Sequence, residues 1–157
     1  MKNLFPSALA IAALAVAPAV AAAGPLSLTS RVMVERRVTA ADGTTRTELA
    51  APTKVVPGDG VQVVLAYRNT GAAPIADLVL ANPVPAGMAF AGVAADGPAP
   101  ELSVDGTRFA ALPALRVADA GGTRPARAAD VTHVRWRFAQ PLKPGASGSL
   151  AFRAVVK

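Results

Sequence analysis

The chain has no cysteine, and that absence excludes more chemistry than any residue present suggests. Disulfide staples, thiolate nucleophiles and sulfur-ligated metals all need the thiol. Histidine is nearly missing as well, His133 being the single one in 157 residues. A zinc or general-base role for it would need carboxylates to gather from other parts of the fold. Tyr67 and Trp136 are the only residues of their kinds, too few for a base-stacking platform, so nucleic acid is not an expected partner. Acidic side chains are outnumbered, 10 against 16 Lys and Arg, for a formal charge of +6. Lysine is itself scarce. After residue 23 only Lys54, Lys143 and Lys157 occur, so the basic character comes from arginine.

Long apolar runs are absent beyond the N-terminus. There the sequence reads MKNLFPSALAIAALAVAPAVAAAG: one lysine, an uncharged apolar stretch, then small residues at Ala19, Ala21 and Ala23. That order is the pattern of a secretory signal peptide. Cleavage is predicted after Ala23, with Ala21 the alternative. Residues 1–23 are then the leader, and 24–157 form a single domain exported to the periplasm or the cell exterior. Pro6 and Pro18 interrupt the apolar stretch, which argues against a retained anchor. After cleavage the chain is not expected to be an integral membrane protein.

Helical periodicity is absent too, and alternation takes its place. In LTSRVMVERRVT, Leu28, Val32, Val34 and Val38 fall on one side, and Arg31, Glu35 and Arg37 on the other. A second strand is predicted over 46–56, after the turn at Asp42-Gly43. Val61, Val63, Leu65 and Tyr67 form the clearest half-buried strand, closed by Asn69-Thr70-Gly71. In the strand predicted over 75–80, Leu78 and Leu80 face inward, because the opposite choice would bury Asp77. Pro83 and Pro85 lack the N–H of a ladder, so 82–87 is predicted to cross between sheets ahead of a strand at 88–93. A small hairpin is predicted around Asp105-Gly106, and a long alanine-rich loop, with room for one helical turn, over 110–130. Val134, Trp136 and Phe138 alternate in one late strand, and Leu150, Phe152, Ala154 and Val156 in the last; these two are predicted to pair as a hairpin.

Seven to nine such strands must stack to hide their apolar faces. The predicted fold class is all-β, an immunoglobulin-like two-sheet β-sandwich with Greek-key-type connections; a jelly roll or open barrel shares the same grammar.

Three stretches carry a family likeness: VVPGDGVQVVLAYRNTGAAPIADLVLANPVPAGMAF, SVDGTRFAAL, and VTHVRWRFAQPLKPGASGSLAFRAVVK. In the order of their turns they resemble the DUF11 repeat domains of bacterial envelope proteins, over roughly residues 53–157. The resemblance implies an immunoglobulin-like fold and a secreted or surface location. The family has no assigned catalytic residue, so none carries over. Asn82 stands where the family commonly has aspartate, and one copy is present where tandem copies are frequent.

The residues themselves offer little chemistry. No serine sits in a Gly-x-Ser-x-Gly elbow. Asp42, Asp59, Asp96 and Asp105 each precede glycine, which turn formation explains without calcium. No catalytic residue, metal or cofactor is predicted. Arg135 and Arg137, with Arg153 on the predicted neighbouring strand and Arg68, are the candidate anion-contact surface. The leading expectation is a non-catalytic envelope module that binds another envelope protein, with the terminal strand 149–156 as a possible pairing edge. The alternatives are a ligand-free spacer domain and a weak binder of an acidic surface polymer. An enzyme would have to draw on loops around 94–130, with Asp96, Glu101, Asp119 and His133.

Overall fold

The computed structural model describes residues 24–52, 54–94 and 97–157. The predicted leader and Asp96 lie outside the described residues. Among the described residues, ten strands make an all-β fold in three antiparallel sheets. They are β1 (Leu26–Thr39), β2 (Thr45–Ala50), β3 (Gly60–Asn69), β4 (Val79–Pro83), β5 (Met88–Val93), β6 (Glu101–Ser103), β7 (Arg116–Asp119), β8 (Gly122–Pro125), β9 (His133–Arg137) and β10 (Ser147–Val156). The largest sheet runs β2-β1-β3-β10-β5, the second β4-β9-β6, and β7-β8 stand as a pair.

Alternation places the core. Val61, Val63 and Leu65 of β3, Leu78 and Leu80 beside and within β4, Val134 and Trp136 of β9, and Leu150, Phe152 and Ala154 of β10 belong to one buried cluster. Val63, Trp136 and Phe152 share that interior, as the alternating pattern requires. Phe152 is fully buried, its ring 6.0 Å from Phe90 and 6.4 Å from Trp136. The indole N–H, stranded in an apolar layer, donates to the Pro98 carbonyl at 3.0 Å.

The predicted C-terminal hairpin does not form. β9 pairs with β4 and β6, whereas β10 pairs with β3 and β5. The residues between them carry the chain from one sheet to the other. Leu142 is buried on the way and exchanges two backbone hydrogen bonds with Ile75, at 2.9 and 3.0 Å. Crossing lets Trp136 and Phe152 meet through their apolar sides, which pairing within one sheet would set side by side. The terminal strand is also not a free edge along its length, since Phe152–Val156 is flanked by both β3 and β5.

Other boundaries shift for local reasons. β2 stops at Ala50, short of Pro52, and Val55 and Val56 are exposed. Asp77 takes a left-handed backbone, φ 50°, which breaks the strand expected over 75–80 and delays β4 to Val79. Leu78 and Leu80 do face inward; of the crossing predicted over 82–87, Asn82 and Pro83 belong instead to β4, and 84–87 carries the chain to β5 in the other sheet. Pro83 ends β4, a sheet-edge strand. The stretch 110–130 is not one long loop; it holds two 3-10 turns, Leu112–Ala114 and Ala128–Asp130, around the β7–β8 hairpin.

Asn69 fastens one end of the core. Its side chain is wholly buried, donates to the carbonyls of Ala73 and Leu142 at 2.9 Å each, and accepts the Gly71 N–H at 2.9 Å. Truncation would remove these three hydrogen bonds from a buried position. We expect Asn69→Ala to lower unfolding free energy by about 1–3 kcal/mol and Phe152→Ala by about 3–5 kcal/mol, both read from urea denaturation. An Asn69→Ala variant as stable as the parent would remove the clasp role.

Candidate functional site: two arginine-bearing sheet faces

The four arginines singled out in the sequence do not form one stripe. Register places Arg68 and Arg153 on the outer face of the five-stranded sheet, and Arg135 and Arg137 on the outer face of the three-stranded one. The separation follows from the missing β9–β10 pairing.

On the larger sheet, Arg153 grips Glu35 of β1 across β3. Its Nε and Nη2 donate to the two carboxylate oxygens at 2.8 and 2.7 Å, and Gln62 Nε2 adds a bond at 3.3 Å. These hydrogen bonds, with that of Arg153 foremost, hold the Glu35 carboxyl below the ordinary glutamate range against the opposing effect of burial. The same pairing raises the Arg153 guanidinium. Arg68 is different. It is exposed, and its side chain makes no hydrogen bond or ion pair among the described residues. It lines an open groove of about 400 Å³ with Ser27, Thr29 and Ser147. Gly148 also lines it, and on the inner side of the sheet a Cβ at Gly148 would collide with Tyr67. Arg31 shares the outer face, four residues along β1 from Ser27, which pairs with Arg68. The alternation of β1 already pointed Arg31 outward, but only the β1–β3 pairing shows that it joins Arg68.

On the smaller sheet, Glu101 Oε2 takes three bonds: Arg135 Nε at 2.8 Å, Arg135 Nη2 at 2.7 Å and Arg137 Nε at 3.2 Å. The Arg135 hydrogen bond is the main cause of the lowered Glu101 pKa. The Arg135 guanidinium also lies 4.0 Å over the Phe109 ring. Arg135 is thus committed to structure, whereas Arg137 keeps a half-exposed side chain.

Ser103 and His133 are cross-strand partners, and Asp105 follows two residues later. This is the nearest approach to a nucleophile–base arrangement, and its bonds run the wrong way for one. The Ser103 side chain is fully buried, donates to Asp105 Oδ1 at 3.0 Å and accepts the Gly106 N–H at 2.9 Å. His133 is half-buried, its Nδ1 paired with Thr132 Oγ1 at 2.9 Å. Its ring packs over Gly106, whose φ of 77° and close approach both require the missing side chain. Asp105 is a turn residue: Thr107 N–H and Arg108 N–H bond its Oδ1 at 2.8 and 2.9 Å, and these bonds depress its pKa. Asp42 and Asp59 likewise accept nearby backbone N–H groups. Asp119 and Asp130 are both drawn to Arg124, with Asp130 gripped by two bonds at 2.6 and 2.9 Å. Among the described residues, no three His, Asp or Glu side chains converge to hold a metal ion, and no helix is long and apolar enough to cross a membrane.

Comparison with protein-family models, with curated proteins and with solved structures finds no match to this chain.

The paired carboxylates fix the pH response. A carboxyl whose folded pKa is depressed stabilises the fold above its unfolded value and loses that contribution as pH falls through the folded value. Glu35 and Glu101 are both depressed. The melting temperature is therefore expected to hold near neutrality and to fall on acidification below about pH 4–5. Glu35→Gln should lower stability at neutral pH and flatten the acid decline, as followed by circular dichroism melts. An unchanged acid profile would show that the Glu35–Arg153 pair contributes no net stability.

Proposed function

We propose that the chain is a non-catalytic, exported module that binds another envelope protein through its sheet surfaces. The observation that carries this reading is the commitment of its charged groups. Glu35, Glu101, Asp105 and Asp130 are each tied up in bonds that fasten strands or turns, while sheet faces and edges stay exposed. The immunoglobulin-like two-sheet sandwich with Greek-key-type connections belongs to the same reading. It is supported by the single buried cluster shared between two sheets and by a chain that passes repeatedly from one to the other. On this view β7-β8 is an insertion between two strands of the smaller sheet. Export rests on the N-terminal pattern, and the kinship with DUF11 domains on the turn order of the sequence.

The test begins with the protein recovered from the periplasm or medium of expressing cells. N-terminal sequencing is expected to begin at Gly24. Photo-crosslinkers placed on exposed sheet positions are expected to trap one discrete protein partner. A chain that stays in the cytoplasm would overturn export. An exported monomer that yields no adduct from any face would favour the ligand-free spacer.

A second reading has its own observation: Arg68 lies unpaired in a groove lined by hydroxyls. Arginine with neighbouring hydroxyl donors suits the carboxylate or sulfate of an acidic polysaccharide. Heparin-agarose is expected to retain the protein at low ionic strength, with Arg68→Ser eluting at distinctly lower salt and Arg135→Lys little changed. Absence of retention at low salt would end this reading.

A further inference from the structure

A sheet edge offers unpaired main-chain donors and acceptors, and proteins normally guard it with charge, a bulge or a covering segment. Most edges here are guarded. β2 carries Arg46 and Glu48. β5 has a register shift opposite Arg153 and Ala154, and it packs against the 3-10 turn Ala128–Asp130. β6 is three residues long, and Leu102 exchanges both its outward bonds with Ala110, at 2.9 Å each. The segment Ser147–Ala151, beyond the reach of β5, runs beside Ala94, Gly97 and Pro98.

Leu26–Met33 of β1, beyond the reach of β2, is open but carries Arg31, whereas β4 is open and uncharged. It pairs only with β9, and its sequence Val79-Leu80-Ala81-Asn82-Pro83 bears no charge. The direction of its free groups follows from the ladder. Leu78 C=O accepts from Phe138 N–H at 2.9 Å, and Val84 N–H donates to Thr132 C=O at 2.8 Å. Bonded and non-bonded pairs alternate in an antiparallel ladder. Leu80 and Asn82 therefore bond across to Trp136 and Val134, and Val79, Ala81 and Pro83 turn their main-chain groups away from β9. All three are exposed, Val79 at 41%, and no backbone bond from another segment reaches Val79 or Ala81 among the described residues.

We propose that the β4 edge is a docking site for an extended segment of another protein that alternates apolar with acidic side chains. This deepens the interaction-module reading and rests on it. Strand addition needs donors and acceptors in register, which Val79 and Ala81 supply. The acidic preference comes from the neighbouring strand. Arg137 lies opposite Val79 on the outer face with its side chain 57% exposed, and it shares the single carboxylate of Glu101 with Arg135, so one positive charge there is unmatched. The formal charge of +6 disfavours a second copy of this chain as the occupant. Inward-facing residues of the guest would extend the row of Leu78 and Leu80, so they should be apolar.

The test uses the cleaved chain and a capped octapeptide of alternating valine and glutamate. Amide NMR is expected to show saturable shifts centred on Val79 to Ala81 and slowed exchange of the Ala81 N–H. Ala81→Pro removes only an outward donor, so it should keep the fold and weaken binding at least tenfold. If that variant melts early, Val79→Lys supplies the same test by charge. A valine–lysine peptide should bind at least tenfold more weakly than the valine–glutamate one. Shifts centred on Ser147–Ala151, no saturable binding, equal binding of both peptides, or peptide-free dimerisation abolished by Ala81→Pro would each overturn the proposal. Photo-crosslinkers at Ala81, Thr47 and Ser149 separate the two levels. Adducts from Thr47 or Ser149 but not Ala81 reject the edge and keep the module, whereas no adduct from any position rejects both.

Discussion

Contact between Trp136 of one sheet and Phe152 of the other is the constraint on which the architecture depends. No disulfide is possible in a chain without cysteine, and the sheets are held together by what they exclude from water. Each fully buried aromatic of this kind is worth about 2–3 kcal/mol of transfer free energy. The polar atoms caught in that layer are satisfied locally. The indole N–H finds Pro98, Asn69 finds three backbone groups, and no buried side-chain nitrogen or oxygen among the described residues is left without a partner.

Charge is organised around the scarcity of acids. Most carboxylates that matter are shared or doubly bonded, Glu101 between two arginines and Glu35 by a bidentate grip, so the positive excess is concentrated in a few unmatched side chains. Arg68 is one of these. An exposed ion pair contributes little energy on its own. Its larger effect here is to fix the direction of long side chains on an otherwise flat face. The consequence is a surface whose features are grooves and edges, with no enclosed cleft bringing acid, base and nucleophile together among the described residues.

The strands with alternating side chains were legible: β3, β9 and β10 stand where their pattern puts them, and β5 starts directly after the turn that ends at Gly87. Pairing partners were less so. Val134-Arg135-Trp136 and Leu150-Ala151-Phe152 have equivalent alternation, and alternation says which side is buried without saying which sheet a strand joins. Only the burial of Leu142 between Pro141 and Pro144 marks the connection as a crossing. β7 and β8 were hidden for another reason. Val117 is almost their only apolar residue, and the pair is held by Arg124 with Asp119 and Asp130, contacts that leave no periodic trace. The two-residue turn Ala120-Gly121 was the one available signal. The candidate arginines were legible as outward-facing, but their division between two faces depends on sheet order, which local pattern does not encode.

The position of β10 sets the timing of assembly. It is the last strand in sequence order, yet it lies inside the largest sheet, with β3 on one side and β5 on the other. A chain delivered from its N-terminal end, by a ribosome or through a membrane pore, would hold β1 to β3 and β5 as separate pieces with nothing to join them. Closure would wait for β10, ten residues long, to arrive. The large sheet therefore closes only once β10 has been delivered.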